Sequence, residues 1–298
     1  MQVRSAILLW AAFLGSAAPA DELLVKGAWP SASDTVTALP ESGTMRSAAY
    51  ENSYFGLKYP LAAGWGQQVQ GPPPSDSGYY VLAQIEPQDR SRRSQEGHAL
   101  IVAQDMFFGA TPATTAAELI EYTRLHLDPD FKIEGRPGPV RIAHRDFIRL
   151  DYRSPVAQIH WHVLATQIRC HTVEFVFTGR DSPRLAKIIA ELDSLQVSES
   201  ATPVCIKDFA TAGNMLAHEE PLLPQTRFNP IPVRIIIGAD GRIEHIHFIS
   251  AFPEQVRSIS DALAQWRFKP YLVNGQPVPV ETGVMFGRAP STEARSGL

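Results

Sequence analysis

The sequence predicts an α+β protein built from two modules, and three observations carry that expectation. Between Tyr50 and Leu195, alternating runs typical of antiparallel strands are interrupted by two capped amphipathic helices. After Phe228 a shorter series follows: strand, turn, strand, helix, strand. The chain has 298 residues, more than the roughly 100–200 of an ordinary single domain, and is 44% hydrophobic, enough to bury a core in each module. Its 27 basic and 31 acidic residues give a net charge of −4, without the basic excess that nucleic-acid binding requires.

The first segment reads as an address. Arg4 precedes the apolar run Ala6 to Leu14, and Ala18-Pro19-Ala20 supplies small residues before Asp21. That order is the basic, apolar and cleavage regions of a signal peptide over residues 1–20. The run is shorter than the about 20 apolar residues of a membrane span, so the expectation is export, cleavage and no stable span afterwards. Residues 21–48, rich in Ser, Ala, Thr and Pro, read as a flexible leader.

The first module is expected over residues 49–199. Phe55, Leu57 and Tyr59 alternate with polar neighbours up to Pro60, which reads as a half-buried strand. Tyr79 to Ile85 and Ala99 to Met106 read as a hairpin around a long solvated tip, Asp89 to Gly97, that carries Arg90, Arg92 and Arg93. Thr115-Ala116-Ala117-Glu118 has capping-box spacing and opens a helix to about Leu127, before Pro129. Three strands follow, Asp146 to Tyr152, Gln158 to Gln167 and Thr172 to Thr178. In the middle one, Ile159, Trp161, Val163 and Ala165 share a covered face, leaving His160, His162 and Thr166 on a solvated one. Ser182 as N-cap and Pro183 begin a second helix, with Leu185, Ile188, Ile189 and Leu192 as its core stripe.

These residues resemble a family. Tyr54-Phe55-Gly56-Leu57-Lys58-Tyr59-Pro60 with Gly64-Trp65, the central helix, the meander through Trp161 and the closing helix to Leu195 look like a PsbP-like domain. The resemblance implies an antiparallel sheet with helices in a noncatalytic binding and assembly module of bacterial envelopes or photosynthetic lumens.

Residues 200–227 read as a linker with a short helix near Asp208 to Ala217, and residues 228–288 as the second module. Val233, Ile235 and Ile237 alternate up to the tight-turn signal Asp240-Gly241, and Arg242 to Ile249 returns as a strand. Ser250 and Pro253 announce a helix whose Val256, Ile259, Leu263 and Trp266 form one stripe. Asn274-Gly275 is a second turn before a final strand, Val278 to Phe286, and residues 289–298 read as a disordered tail. With Trp266-Arg267-Phe268-Lys269-Pro270 and Asn274-Gly275-Gln276-Pro277-Val278, this ββαβ pattern resembles the TonB C-terminal domain. Trp266, Phe268, Pro270, Asn274 and Gly275 are the motif's structural residues, the two rings sealing helix against sheet. The family's opening Tyr-Pro, short helix and Gly-x-x-Gly turn are absent, as is a proline-rich rod with a firm anchor. A chain without an anchored end cannot sustain tension, so energy transduction in the strict sense is not expected. What remains is an open sheet edge, formed by Val280, Glu281, Thr282, Gly283, Val284, Met285 and Phe286, that accepts a partner's strand.

No residue set announces chemistry. His160-Trp161-His162 and His245-Ile246-His247 each place two imidazoles on one strand face, but no third or fourth metal ligand follows from spacing. Nucleophile elbows, His-Glu-x-x-His helices, phosphate loops and dinucleotide fingerprints are missing. No enzyme activity, metal or cofactor is expected. Cys170, at a hairpin turn, and Cys205, in the linker, either pair or stay as free thiols. The expectation is therefore a noncatalytic periplasmic cell-envelope protein whose C-terminal module recognises an unidentified envelope protein, with the TonB resemblance implying an association with TonB-type transport. The alternatives are a carrier of a small molecule or lipid in the first module, and an anchored energy-transducing transport subunit.

Overall fold

The structure, a computed structural model, describes residues 24–29, 37–69, 74–109, 111–198, 203–211, 213–223 and 229–287. The signal segment 1–20 and the tail 289–298 lie outside them. The first part of the chain forms β1 (Val25–Ala28), β2 (Thr44–Arg46), β3 (Ala49–Asn52), β4 (Leu57–Pro60), β5 (Trp65–Val69) and β6 (Tyr79–Pro87). Then come α1 (Arg90–Glu96), β7 (His98–Asp105), α2 (Ala116–His126), β8 (Lys132–Ile133), β9 (Gly138–Ile142) and β10 (Arg145–Ser154). The first module closes with β11 (Ile159–Ile168), β12 (His171–Gly179), α3 (Ser182–Ala190) and β13 (Gln196–Val197). The connection holds β14 (Val204–Cys205) and β15 (Met215–Ala217). The second module has β16 (Ile231–Ile237), β17 (Ile243–Ala251), α4 (Pro253–Leu263), β18 (Arg267–Phe268), β19 (Tyr271–Val273), β20 (Gln276–Val278) and β21 (Val280–Phe286).

The alternating runs of the first module assemble into an antiparallel sheet of order β5-β6-β7-β12-β11-β10-β8, with β9 added to β10. α2 starts as expected, because the Thr115 hydroxyl accepts from Glu118 N–H while the Glu118 carboxylate returns to Thr115 N–H. Its Ala116 and Ile120 cover Leu150, Val163 and Ala165 on one sheet face. The opposite face is not solvated. A second sheet, β13-β4-β3-β2, lays Tyr50, Leu57 and Tyr59 over it, and Leu185, Ile188 and Ile189 of α3 join the same core, so Leu164 is wholly buried and His162 and Thr166 nearly so. An eight-stranded sheet sandwiched this way buries side chains of both parities.

Other expectations also change. The tip between β6 and β7 winds into α1, because the Asp89 carboxylate accepts from Ser91 N–H and caps it. Asp181, one residue before the expected Ser182, caps α3 by accepting from Arg184 N–H. In the leader, β1 and β2 are strands, and in the linker the described residues between Asp208 and Ala217 form no helix but end in β15, paired with β18.

In the second module the sheet order is β1-β17-β16-β21-β14. Val256, Ile259, Leu263 and Trp266 of the expected stripe pack with Val233, Ile235, Phe248 and Phe286 in one core. Trp266 and Phe268 are buried there, and the indole N–H donates to Glu219 O at 2.8 Å. Asn274 and Gly275 both have positive φ and turn β19 into β20, so Val278 belongs to that hairpin and the last strand begins at Val280.

Glu174 on β12 carries a separate consequence. It lies between Thr172 and Val176 on the α2 face, and burial pushes its carboxyl up from 4.5 to about 7. The folded state then holds a proton that the unfolded chain has already released, so stability falls as pH rises from about 4.5 to about 7. Glu174→Gln is expected to change little at pH 4 and to raise stability by up to about 3 kcal/mol at pH 8, read from urea midpoints at both pH values.

Candidate functional site

The β1-β17-β16-β21-β14 sheet has two faces, and α4 uses only one. The other carries Arg234, Ile236, His245, His247, Ile249, Glu281 and Gly283, which alternate with the core residues along β16, β17 and β21. Strand β16 is buried at all seven positions, Arg234 included. An arginine inside an otherwise apolar strand must meet a counter-charge, because an unpaired buried charge is prohibitive. The first module supplies it.

Arg234 Nη2 donates to Asp105 Oδ2 at the end of β7, and the same nitrogen lies 2.6 Å from His171 Nε2. Arg234 Nη1 donates to Tyr54 Oη at 3.2 Å, and Nε faces Glu281 Oε1 at 3.4 Å. Tyr54 in turn donates to Glu281 Oε1 at 2.7 Å. Arg169 donates to Glu281 Oε2 at 2.7 Å and to Tyr54 O at 3.0 Å, with its guanidinium 3.9 Å above the Tyr54 ring. Phe107 N–H completes Asp105 at 2.7 Å. Two guanidiniums thus oppose two carboxylates, and Asp105, Arg234 and Glu281 are each no more than 2% exposed.

The electrostatics follow from this enclosure. Burial works against the Arg234 charge, but Asp105, Tyr54, Tyr80 and Glu281 around it hold the guanidinium well above its ordinary range. Burial, then Arg234 and Arg169, push His171 far below the usual imidazole range, so it is neutral. With Arg234 donating to Nε2, the ring hydrogen sits on Nδ1 and points at Tyr54 Oη, 3.5 Å away. Tyr54, Phe55 and Tyr80 close edge-on around the imidazole. With each guanidinium answered by a carboxylate, the cluster joins the two sheets at their buried contact.

The covalent link lies beside it. Cys170 and Cys205 form a disulfide, Cα to Cα 5.4 Å, tying the β11–β12 turn to β14. Arg169 and Cys170, adjacent in sequence, therefore reach the second module through an ion pair and a covalent bond respectively. Gly283 fits the contact by lacking a side chain, since a Cβ there would come within 2.6 Å of Phe107 Cβ. On the far edge, β1 pairs with β17, and Glu41 accepts or shares the His247 Nε2 hydrogen at 3.0 Å.

The predicted acceptor edge is corrected by this arrangement. Val280 and Glu281 pair with β14, Ile206 N–H donates to Glu281 O at 3.1 Å, and Phe209 N–H donates to the Thr282 hydroxyl oxygen at 3.3 Å. Gly283 lies against the first module, Val284 and Phe286 face the α4 core, and Met285 is exposed. The chain's own backbone occupies the first half of that edge because the connection from the first module must pass beside β21. The His-x-His strands are likewise not solvated: His162 bonds Asp151 at 2.9 Å, His160 bonds Glu134 at 2.7 Å, and His245 and His247 are buried at the junction. Among the described residues no group of three His, Cys, Asp or Glu side chains could hold a metal, and no helix is long and apolar enough to cross a membrane. Trp266, Phe268, Pro270, Asn274 and Gly275 all lie on the α4 side or the β19–β20 hairpin, away from the ion cluster.

No family model matches the chain, and no curated protein matches it. Among solved structures it is similar to the solution structure of cyanobacterial PsbP (CyanoP) from Synechocystis sp. PCC 6803, at 16% identity and a TM-score of 0.36, over 53% of this chain and 99% of that one. Similarity at that level carries no argument about function. The likeness of residues 228–288 to the TonB C-terminal domain rests on its motif alone.

Proposed function

We propose that this chain is a noncatalytic protein of the cell envelope that binds another envelope protein, with its contact surface on the β19–β20 hairpin of the TonB-like module. The observation that carries the reading is a run of three apolar side chains left in water: Tyr271, Leu272 and Val273 are 36%, 57% and 38% exposed. Single exposed hydrophobics are ordinary, whereas a consecutive run on a projecting two-stranded ribbon favours a partner with an apolar groove. The ribbon is rooted, since Tyr271 packs edge-on against Phe209 and β18 precedes it directly. The rigid junction supports the same reading, because a surface held in one orientation loses less freedom on binding. The apolar segment before Asp21 supports export, and N-terminal sequencing of the mature protein is expected to start at Asp21.

The test uses the full chain with a photo-crosslinking amino acid at position 272, in parallel with Leu272→Ser/Val273→Ser. Crosslinking in envelope extract is expected to yield a discrete adduct, and the double variant is expected to lose co-purifying partner while its unfolding free energy stays within about 0.5 kcal/mol of wild type. Equal recovery of partner by wild type and variant would defeat the proposal.

A further inference from the structure

The strand that closes the β21 edge is held there by more than its own pairing. β14 has two residues, its ladder to β21 is parallel, and at its ends Val204 N–H donates to Pro279 O at 2.9 Å and Ile206 N–H to Glu281 O at 3.1 Å. Cys205 is the second of those two residues, and its sulfur is bonded to Cys170, wholly buried in the first module. Cys170 cannot shift easily: its carbonyl accepts from Met106 N–H at 2.9 Å, and its neighbour Arg169 is paired with Glu281. The disulfide therefore pins a marginal strand against an edge that a longer strand would pair with better. Beyond β14, the main-chain groups of Gly283 and Met285 point outward from β21 in the same sense as those of Glu281, by the alternation of the ladder.

We propose that Cys170–Cys205 is a redox clasp, and that its reduction frees β14 and opens the outer edge of β21 to an extended peptide strand. The partner reductant is a dithiol protein of the thioredoxin class. Cys205 is partly exposed and Cys170 is not, so the attacking thiolate forms its bond to Cys205 Sγ. The Cys170–Cys205 bond breaks, and Cys170 leaves as a thiolate and takes a proton. The reductant's second thiol then attacks the mixed disulfide, releasing Cys205 as a thiolate that also takes a proton. The reductant loses two electrons and becomes a disulfide, and the chain gains two electrons and two protons. The edge so uncovered lies on β21, and the hairpin surface is read by its own variant, Leu272→Ser/Val273→Ser, so failure of one idea is distinguishable from failure of the other.

The experiment follows amide hydrogen exchange in the full chain, oxidised, reduced with thioredoxin or dithiothreitol, and as Cys205→Ser. It is combined with binding of a fluorescein-labelled peptide that copies residues 203–209 with serine for cysteine at 205. Reduction by either agent under native conditions is expected to speed exchange at the Glu281 amide at least tenfold while the β16 amides keep their protection. The peptide is expected to bind the reduced chain and Cys205→Ser at least tenfold more tightly than the oxidised chain. Unchanged Glu281 exchange, equal peptide binding, resistance to both reductants, or loss of protection throughout β16 and β17 would each overturn the proposal, the last because the bond would then hold the module's fold and not its edge.

Discussion

Arg234→Met is expected to lower the unfolding free energy by about 3–5 kcal/mol at pH 7. The methionine fills similar volume, so lost packing contributes little. What remains is Asp105, wholly buried, with Phe107 N–H as its best partner and no cation in contact. Burial already pushes the Asp105 carboxyl up against the pull of Arg234, and without that pull it rises further. In the variant the folded state therefore keeps a proton that the unfolded chain gives up near its ordinary carboxyl range. By linkage, the variant's stability falls as pH rises through that interval, so its deficit is larger at pH 8 than at pH 5. Adding Asp105→Asn is expected to restore part of the loss, because Glu281 still has Arg169 at 2.7 Å. Urea unfolding with matched m values measures each step. Equal stability of the single and double variants would show that shape, and not uncompensated charge, sets the effect.

Replacing both cysteines, as Cys170→Ala/Cys205→Ala, is expected to cost about 4 kcal/mol, the chain-entropy value for a cross-link spanning 35 residues. The loss should combine with that of Arg169→Met by less than simple addition, since Arg169 and Cys170 hold the same turn against the same strand. A double-mutant cycle on thermal or urea unfolding gives the coupling. Strict additivity would mean that the ion pair and the disulfide act on separate parts of the junction.

Periodicity made α2, α3, α4 and most strands readable, whereas α1 read as a solvated loop tip. The Thr115–Glu118 capping box, the stripe from Val256 to Trp266 and the Asn274-Gly275 turn depend on neighbours within a few residues, and all three appear where local chemistry puts them. The faces were misread where burial comes from distant chain. His162 and His247 look like solvent-side residues of amphipathic strands, but each is covered by an element far off in sequence and is answered by a carboxylate, Asp151 and Glu41 respectively. The junction was legible in one respect that alternation alone concealed. Ile231-Pro-Val-Arg-Ile-Ile-Ile237 is apolar at both parities except for Arg234, the mark of a strand covered on two sides with one buried charge to answer. Its partners could not be named from sequence, because Tyr54, Asp105, His171 and Glu281 are brought together only by the docking of two sheets.

The pairing of β1 with β17 sets an order of events for the newborn polypeptide. Val25 finds its place beside Ala251, and Gly27 beside Phe248, so residues made early wait for partners more than two hundred positions later in the chain. Loop closure across more than two hundred residues is slow and invites wrong pairings in the interval. Until residues 243–251 are made, Val25 and Gly27 have no strand to lie beside, so this edge of the sheet is among the last parts of the molecule to close.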